Sequence, residues 1–351
     1  MKKIWIILIF FIIIFLAYFI LIPKKIYKKN SYIIEDSIDI NTGSSAVNEK
    51  HEGFFYLENE CGYFSFKQGI THYKRCNTDE YILANNLFYI IYNKTESSIK
   101  LFTPTGDKVS EIKINGYPYI YNNLPVFYII NNNNRGFSLY SDKCKKIFGD
   151  INFTSLITSI SMDKNLDTLV STIDGRTFLY TSKGEKIFDE KFNGNSKIII
   201  SKSNTIDFEG DNIAICSGIY PEYIEVFKKK DGTKFISYKT DTNFRYNILL
   251  FFVNNRLYFE GVKQIKFINL KNKKTGSIDI KGEINEVKFN ESGNILIASN
   301  LNDIYYLTIF SPKTKRIFYK EFTSKISNFN FLNKKTIYFK CDDKILKIKV
   351  G

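Results

Sequence analysis

Repetition is what most constrains this chain. From Asp167 to Phe192 it reads DTLVSTIDGRTFLYTSKGEKIFDEKF. A β-branched run is followed by an Asp174-Gly175-Arg176 turn, a second run from Thr177 to Tyr180, a Ser182-Lys183-Gly184 turn and a third run from Lys186 to Phe192. A strand at Ser155 to Ser161 precedes them, giving four short antiparallel strands. The outer hairpin of this unit recurs at Gly62 to Cys76, Ser98 to Ile114, Gly136 to Ile151, Ile224 to Thr240, Ile265 to Ile280 and Ile304 to Phe322. Its turn residues are Gly69, Gly106, Cys144, Gly184, Gly232, Lys273 and Thr314, spaced 37, 38, 40, 48, 41 and 41 residues apart. A period near forty with four strands in each repeat predicts blades arranged around an axis, because one such sheet has two apolar faces and must bury both.

An eighth unit begins at Ile326 with ISNFNF, TIYFK and KILKIKVG, and it lacks an outer strand. At the other end, Tyr32 to Ile40 reads as an outer strand with no blade before it. Pairing the two ends closes a ring and removes the open sheet edges of a linear array. The expected fold is therefore all-β: an eight-bladed β-propeller of four-stranded antiparallel blades over residues 32–351, with Gly43 to Arg75 supplying four strands of blade one. A seven-bladed ring is the alternative, if Tyr32 to Asn48 is only a linker. A hydrophobic content of 44% and an aromatic content of 16% are ample for packing between blades.

Ahead of the repeats, Ile4 to Ile22 is nineteen residues without a charge, long enough as a helix to cross a bilayer core. The expectation is a transmembrane signal-anchor over 4–22, with a short tail at 1–3 and a basic juxtamembrane linker at 23–31 opened by the helix-ending Pro23. Bulky Tyr18, Phe19 and Ile20 and the lack of an Ala-x-Ala site argue against cleavage. Lys2 and Lys3 stand against Lys24, Lys25, Lys28 and Lys29, so charge does not fix orientation. The favoured topology exports the propeller from the inner membrane, with a cytoplasmic body as the alternative. Those six lysines account for part of the net charge of +14, and the rest is spread along nearly every blade. A nucleic-acid partner is disfavoured on that ground, since a chain so rich in Lys, Asn, Ile, Phe and Tyr matches AT-biased coding.

Signals for chemistry are sparse. Five cysteines and two histidines show no metal-ligand spacing. Cys61 and Cys76 would face each other across a hairpin turning at Gln68-Gly69, which suggests either a disulfide or two free thiols. Asp163-x-Asn165-x-Asp167 resembles a calcium loop, yet Thr168 stands where the loop needs Gly and Asp174 where it needs Glu, so a polar turn is expected. The carboxylates Asp163, Asp174, Asp211 and Asp303 all fall at turns. There is no G-x-S-x-G, no phosphate-binding glycine loop and no dinucleotide fingerprint, and no cofactor is expected. The candidate interaction surface is the loop Asn131, Asn132, Asn133, Asn134 and Arg135, together with Tyr117, Tyr119 and Tyr121 near the central channel or a rim.

LVSTIDGRTFLYTSKGEKIF, from Leu169 to Phe188, resembles the PQQ-like repeat of bacterial β-propellers, with looser copies at Ile213 to Ile236 and Ile295 to Phe318. WD40-like families share parts of the same pattern. The tryptophan that ends the family repeat is replaced by Phe148, Phe188, Ile236 and Phe318, and the one Trp of this chain is Trp5. Nothing resembles a quinone site. The resemblance implies a non-enzymatic, membrane-tethered propeller that serves as a protein-interaction scaffold in a bacterial cell envelope, for envelope or outer-membrane assembly. The alternative is a propeller enzyme, or a carbohydrate or anionic-polymer binder, using a site at the channel mouth.

Overall fold

The computed structural model describes residues 32–40, 50–93, 97–121, 124–244 and 246–350. The expected membrane segment at Ile4–Ile22 and the linker at 23–31 lie outside the described residues. No helix among the described residues is long and apolar enough to cross a membrane.

Thirty-one strands form eight antiparallel sheets, one per blade, over 53–75, 80–113, 116–152, 157–191, 198–239, 250–279, 283–322 and 326–350. Seven sheets have four strands. Blade 1 has three, Gly53–Leu57, Glu60–Ser65 and Gly69–Arg75. The fourth strand expected between Gly43 and Arg75 would fall on 41–49, outside the described residues. Blade 8 gains its outer strand from the start of the chain, where Tyr32–Asp39 pairs antiparallel with Lys344–Val350. Eight blades, not seven, make the ring.

Closure is visible in the packing as well. There are eight apolar clusters, one between each pair of neighbouring blades, and an open row of eight sheets would have only seven. The one that joins blade 8 to blade 1 contains Ile38, Phe55, Phe64, Ile70, Tyr338 and Ile345. Middle strands are covered on both faces, so they carry continuous apolar runs; Asn212–Ile219 is buried along its whole length. Outer strands cover one face only and alternate, as Lys186–Lys191 does.

All seven turn residues that mark the repeat adopt positive φ, from 57° at Cys144 to 95° at Gly106. In the template turn Gly184 N donates to Thr181 O at 2.8 Å, while Thr181 Oγ1 accepts from Glu185 N at 3.2 Å. The same arrangement holds at Thr103/Gly106, Ser141/Cys144 and Ser311/Thr314. Glycine answers a second demand at two of these sites. A Cβ on Gly184 would lie 3.1 Å from Phe148 of the preceding blade, and one on Gly232 would lie 3.3 Å from Phe188. These phenylalanines stand where the family repeat has tryptophan, and they pack beneath the glycine turn of the next blade.

The antiparallel course also sorts the loops. Counting strands outward from the axis, the turns from strand one to two and from three to four lie at one rim. The turns from two to three, and the connections between blades, lie at the other. Tyr32 pairs with Val350, and Val350 N donates to Lys335 O at 2.8 Å, so the chain enters the ring at the first, near rim. Ile40 N donates to Asp343 O at 2.9 Å on the far rim.

Candidate functional site

The far rim of blades 4 to 6 carries a run of exposed apolar side chains. Ile173 N donates to Leu156 O at 2.9 Å, which sets those two exposed side chains on adjoining backbone segments of blade 4. Ile199 lies over the Asp174-Gly175 turn, since a Cβ on Gly175 would come within 2.6 Å of its Cγ2. Lys197 N donates to Tyr220 O at 3.1 Å, and Tyr220 N donates to Asn243 Oδ1 at 3.0 Å. The rings of Phe244 and Tyr246 are 5.0 Å apart. This chain of contacts joins exposed Leu156, Ile173, Ile198, Ile199, Tyr220 and Tyr246, with Val262, 63% exposed, on the next far-rim turn.

A buried ion pair ties together two of the segments that carry these side chains. Lys202 is 1% exposed and Glu222 is fully buried. Lys202 Nζ donates to the Glu222 carboxylate and, at 2.8 Å, to Phe244 O. Glu222 also accepts from Thr240 Oγ1 at 3.1 Å and Thr242 Oγ1 at 3.3 Å. Ser196 Oγ donates to Pro221 O at 2.6 Å. One lysine thus ties the Tyr220–Glu222 turn to the 240–249 connection, and the pair's hydrogen bonds satisfy charges that would otherwise be costly to bury. Asn247 Nδ2, on the connection into blade 6, donates to Thr158 O at 2.7 Å and Thr158 Oγ1 to Ser201 O at 2.6 Å, tying that connection to the inner strands of blades 4 and 5. Burial, and then the Glu222 carboxylate, push the Cys216 thiol up, so it stays protonated and inert.

The sequence candidates are distributed differently. Tyr117 and Tyr119 lie on the innermost strand of blade 3, Gly116–Ile120, and both are exposed. Tyr119 stacks on Tyr128 with ring centroids 5.2 Å apart. Tyr121 turns into the cluster between blades 3 and 4, where burial pushes its hydroxyl up and the Met162 backbone bonds it. The asparagine loop is a far-rim turn that spends its side chains on itself. Asn131 Oδ1 accepts from Arg135 N at 3.0 Å and Gly136 N at 2.9 Å, Asn133 Oδ1 accepts from Arg135 N at 2.9 Å, and Asn134 holds φ 55°. Asn132 Nδ2 donates to Asn115 Oδ1 at 2.8 Å, so this loop and Tyr117 share one rim.

Cys61 is opposite Lys74, not Cys76, because the strands pair across Ser65 and Gly69 and a bulge lies between Tyr63 and Phe64. Both thiols are free and pack into one cluster between blades 1 and 2. The Asp163-x-Asn165-x-Asp167 turn takes up an ammonium from the neighbouring blade. Lys229 Nζ lies 2.6 Å from Asp163 Oδ2 and 2.5 Å from Asp167 Oδ2, while Asp163 Oδ1 accepts from Asn165 N at 2.9 Å and Asp167 N at 3.0 Å. Asp163 and Asp211 lie on near-rim turns, Asp174 and Asp303 on far-rim turns, so the four turn carboxylates do not share one site. No group of three potential metal ligands occurs among the described residues.

The exposed apolar residues of blades 4 to 6 had little sequence signal, since single apolar residues in short turns look unremarkable. One clue was available: the spacing of 48 between Gly184 and Gly232 exceeds the others. It reflects the long strands Ile198–Ile206 and Asn212–Ile219 of blade 5.

The fold has solved counterparts. BamB from Moraxella catarrhalis superposes with a TM-score of 0.62 at 9% identity, covering 91% of this chain and 100% of that one. A streptogramin B lyase superposes with a TM-score of 0.52 at 12% identity, covering 87% and 100%. At such identities the likeness is one of fold alone. No curated protein matches the sequence. A family model described as "beta-propeller protein" matches residues 1–351, and with eight closed blades in hand the chain belongs to the β-propeller family.

Proposed function

We propose that this chain is a membrane-tethered scaffold of the bacterial cell envelope, docking a protein partner on the far rim of blades 4 to 6 and serving envelope or outer-membrane assembly. The observation that carries this reading is the run of exposed apolar side chains from Leu156 to Tyr246 on the far rim, two of whose segments the Lys202–Glu222 pair ties together. Exposed aromatic and aliphatic side chains on a rigid support are the anchors that protein interfaces bury first, and little ordering entropy is lost on binding. The tether is read from the uncharged run Ile4–Ile22.

A photo-crosslinking residue at Val262 or Ile199, tested in bacteria, yields one discrete product, while the same residue at Ile187 on the outer strand of blade 4 yields none. Absence of product at both far-rim sites, or an identical pattern at Ile187, overturns the docking reading. Reporter fusions after Gly351 test the compartment: an export-dependent signal agrees with an envelope role, and a cytoplasm-only signal removes it.

A further inference from the structure

The outer turns of the blades are rich in lysine. The seven turns between third and fourth strands, on the near rim, contain eleven lysines and four carboxylates, while the near-rim turns between first and second strands carry Asp163, Asp167, Asp207, Glu209, Asp211 and Glu291 against Lys164, Lys334 and Lys335. Among the described residues, the turns between second and third strands, on the far rim, contain two cations, Arg135 and Lys263, and six carboxylates. On blades 7 and 8 the near-rim turns bring Lys313, Lys315, Lys334 and Lys335 together with Glu291 as their one carboxylate. Beside the point where the chain enters, an open groove of about 700 Å³ is lined by Glu35, Asn333, Lys334, Lys335, Thr336, Lys347 and Lys349. Its one carboxylate, Glu35, lies 3.7 Å from Lys347 and 3.5 Å from Lys349, leaving four ammonium groups against a single acid. Lys313 and Lys315 stand on the adjoining outer turn of blade 7, and Ile33 and Ile34 at the start of the closing strand are exposed.

The chain before Tyr32 says what lies nearby. Residues 24–31 include four lysines and follow the apolar run Ile4–Ile22. Eight residues reach at most about 28 Å when extended. If that run is in a bilayer, as the tethered reading above has it, the near rim of blade 8 is the part of the propeller held closest to the headgroups. Tethering then makes any contact intramolecular, with a local concentration near the millimolar range.

We propose that the near rim of blades 7 and 8 is a second membrane contact, in which Lys313, Lys315, Lys334, Lys335, Lys347 and Lys349 bind the anionic phospholipid headgroups of the bilayer. The propeller then lies with this rim on the membrane and its far-rim apolar side chains turned away from the bilayer. Headgroup phosphates fit because they are small, multiply accepting anions spread over a surface, and ammonium groups on flexible stems match them as point charges.

The test uses the full chain in nanodiscs of phosphatidylcholine alone or with a third phosphatidylglycerol, and reads acylation of individual lysines by mass spectrometry. In anionic discs Lys334, Lys335 and Lys349 label about fivefold more slowly than in neutral ones. Lys197 and Lys263 on the far rim do not change. Protection disappears near 1 M salt, where the screening length is about 3 Å. The double variant Lys334→Glu/Lys335→Glu loses the protection of Lys349 with an unchanged thermal midpoint. Equal labelling in both discs overturns the contact, and so does equal protection in neutral discs, which marks a protein cover instead. Failure of the full chain to co-elute with either disc separately sinks the tether. In that event co-sedimentation with phosphatidylglycerol vesicles reads the contact: salt-sensitive binding upholds it, and no binding overturns it.

Discussion

Lys202 and Glu222, twenty residues apart in sequence, form an ion pair with both side chains withdrawn from solvent. The pair lies under the apolar far rim and joins two of the segments that display it. Breaking it by removing one partner leaves the other charge buried and uncompensated, so Lys202→Met is expected to lower unfolding free energy by about 3–5 kcal/mol. Lys202→Met/Glu222→Leu recovers a large part of that loss, because no lone charge remains. Urea midpoints of the two single variants and the double variant check this; a double variant worse than the sum of the singles removes the explanation.

The outer turns give a prediction of opposite sign. Thr314 holds φ 61° with a β-branched side chain at a position where Gly184 holds φ 82°. The left-handed region costs an L-residue about 1–2 kcal/mol, and glycine loses about 0.4–1 kcal/mol through its freer unfolded chain. Thr314→Gly is therefore expected to stabilise by about 0.5–1 kcal/mol. Gly184→Ala is expected to cost about 1 kcal/mol or more, since its new methyl also crowds Phe148. Thermal midpoints moving in the same direction for both variants contradict this account.

Those turns are why so much of the architecture was legible. A four-stranded blade needs a left-handed residue at each outer hairpin, so the requirement recurs at a fixed period and can be read through Cys144, Lys273 and Thr314 even where glycine is absent. The closing strand was legible because Tyr32 to Ile40 and the unit from Ile326 were each incomplete alone. The Cys61 register was misread because a bulge at Tyr63/Phe64 leaves no trace in composition. Lys202 and Glu222 are brought together by the folding of blade 5, and the near-rim lysines by the packing of blade 7 against blade 8, so neither set is marked by a sequence motif.

His72 links the fold to pH. Its Nε2 is 3.1 Å from Tyr89 Oη, the two rings are stacked at 5.6 Å, and the imidazole fills the space against Gly106. Burial, with a contribution from Lys74, depresses its pKa below the ordinary 6.5, and Asp107 opposes the shift. As pH falls below 6.5 the unfolded chain takes up this proton before the folded one. Stability is thus lost through that window, and the loss levels off once folded His72 is itself protonated. His72→Gln is expected to flatten the profile of unfolding free energy between pH 7 and pH 5. A profile as steep as the parent's assigns the dependence elsewhere.

The final prediction concerns ring closure. Ile38, 6% exposed, is the point at which the closing strand enters the cluster of Phe55, Phe64, Tyr338 and Ile345. A carboxylate there has no partner, so Ile38→Asp is expected to cost more than about 4 kcal/mol and to release Tyr32–Asp39. Release bares Lys344–Val350, whose unpaired amides template pairing with another chain. Amide exchange over 344–350 should accelerate while that over 168–180, in blade 4, stays slow. Light scattering should show concentration-dependent association. Uniform acceleration through all blades would mean that closure stabilises the whole ring as one cooperative unit, and a monomer with unchanged exchange would mean that the closing strand is dispensable.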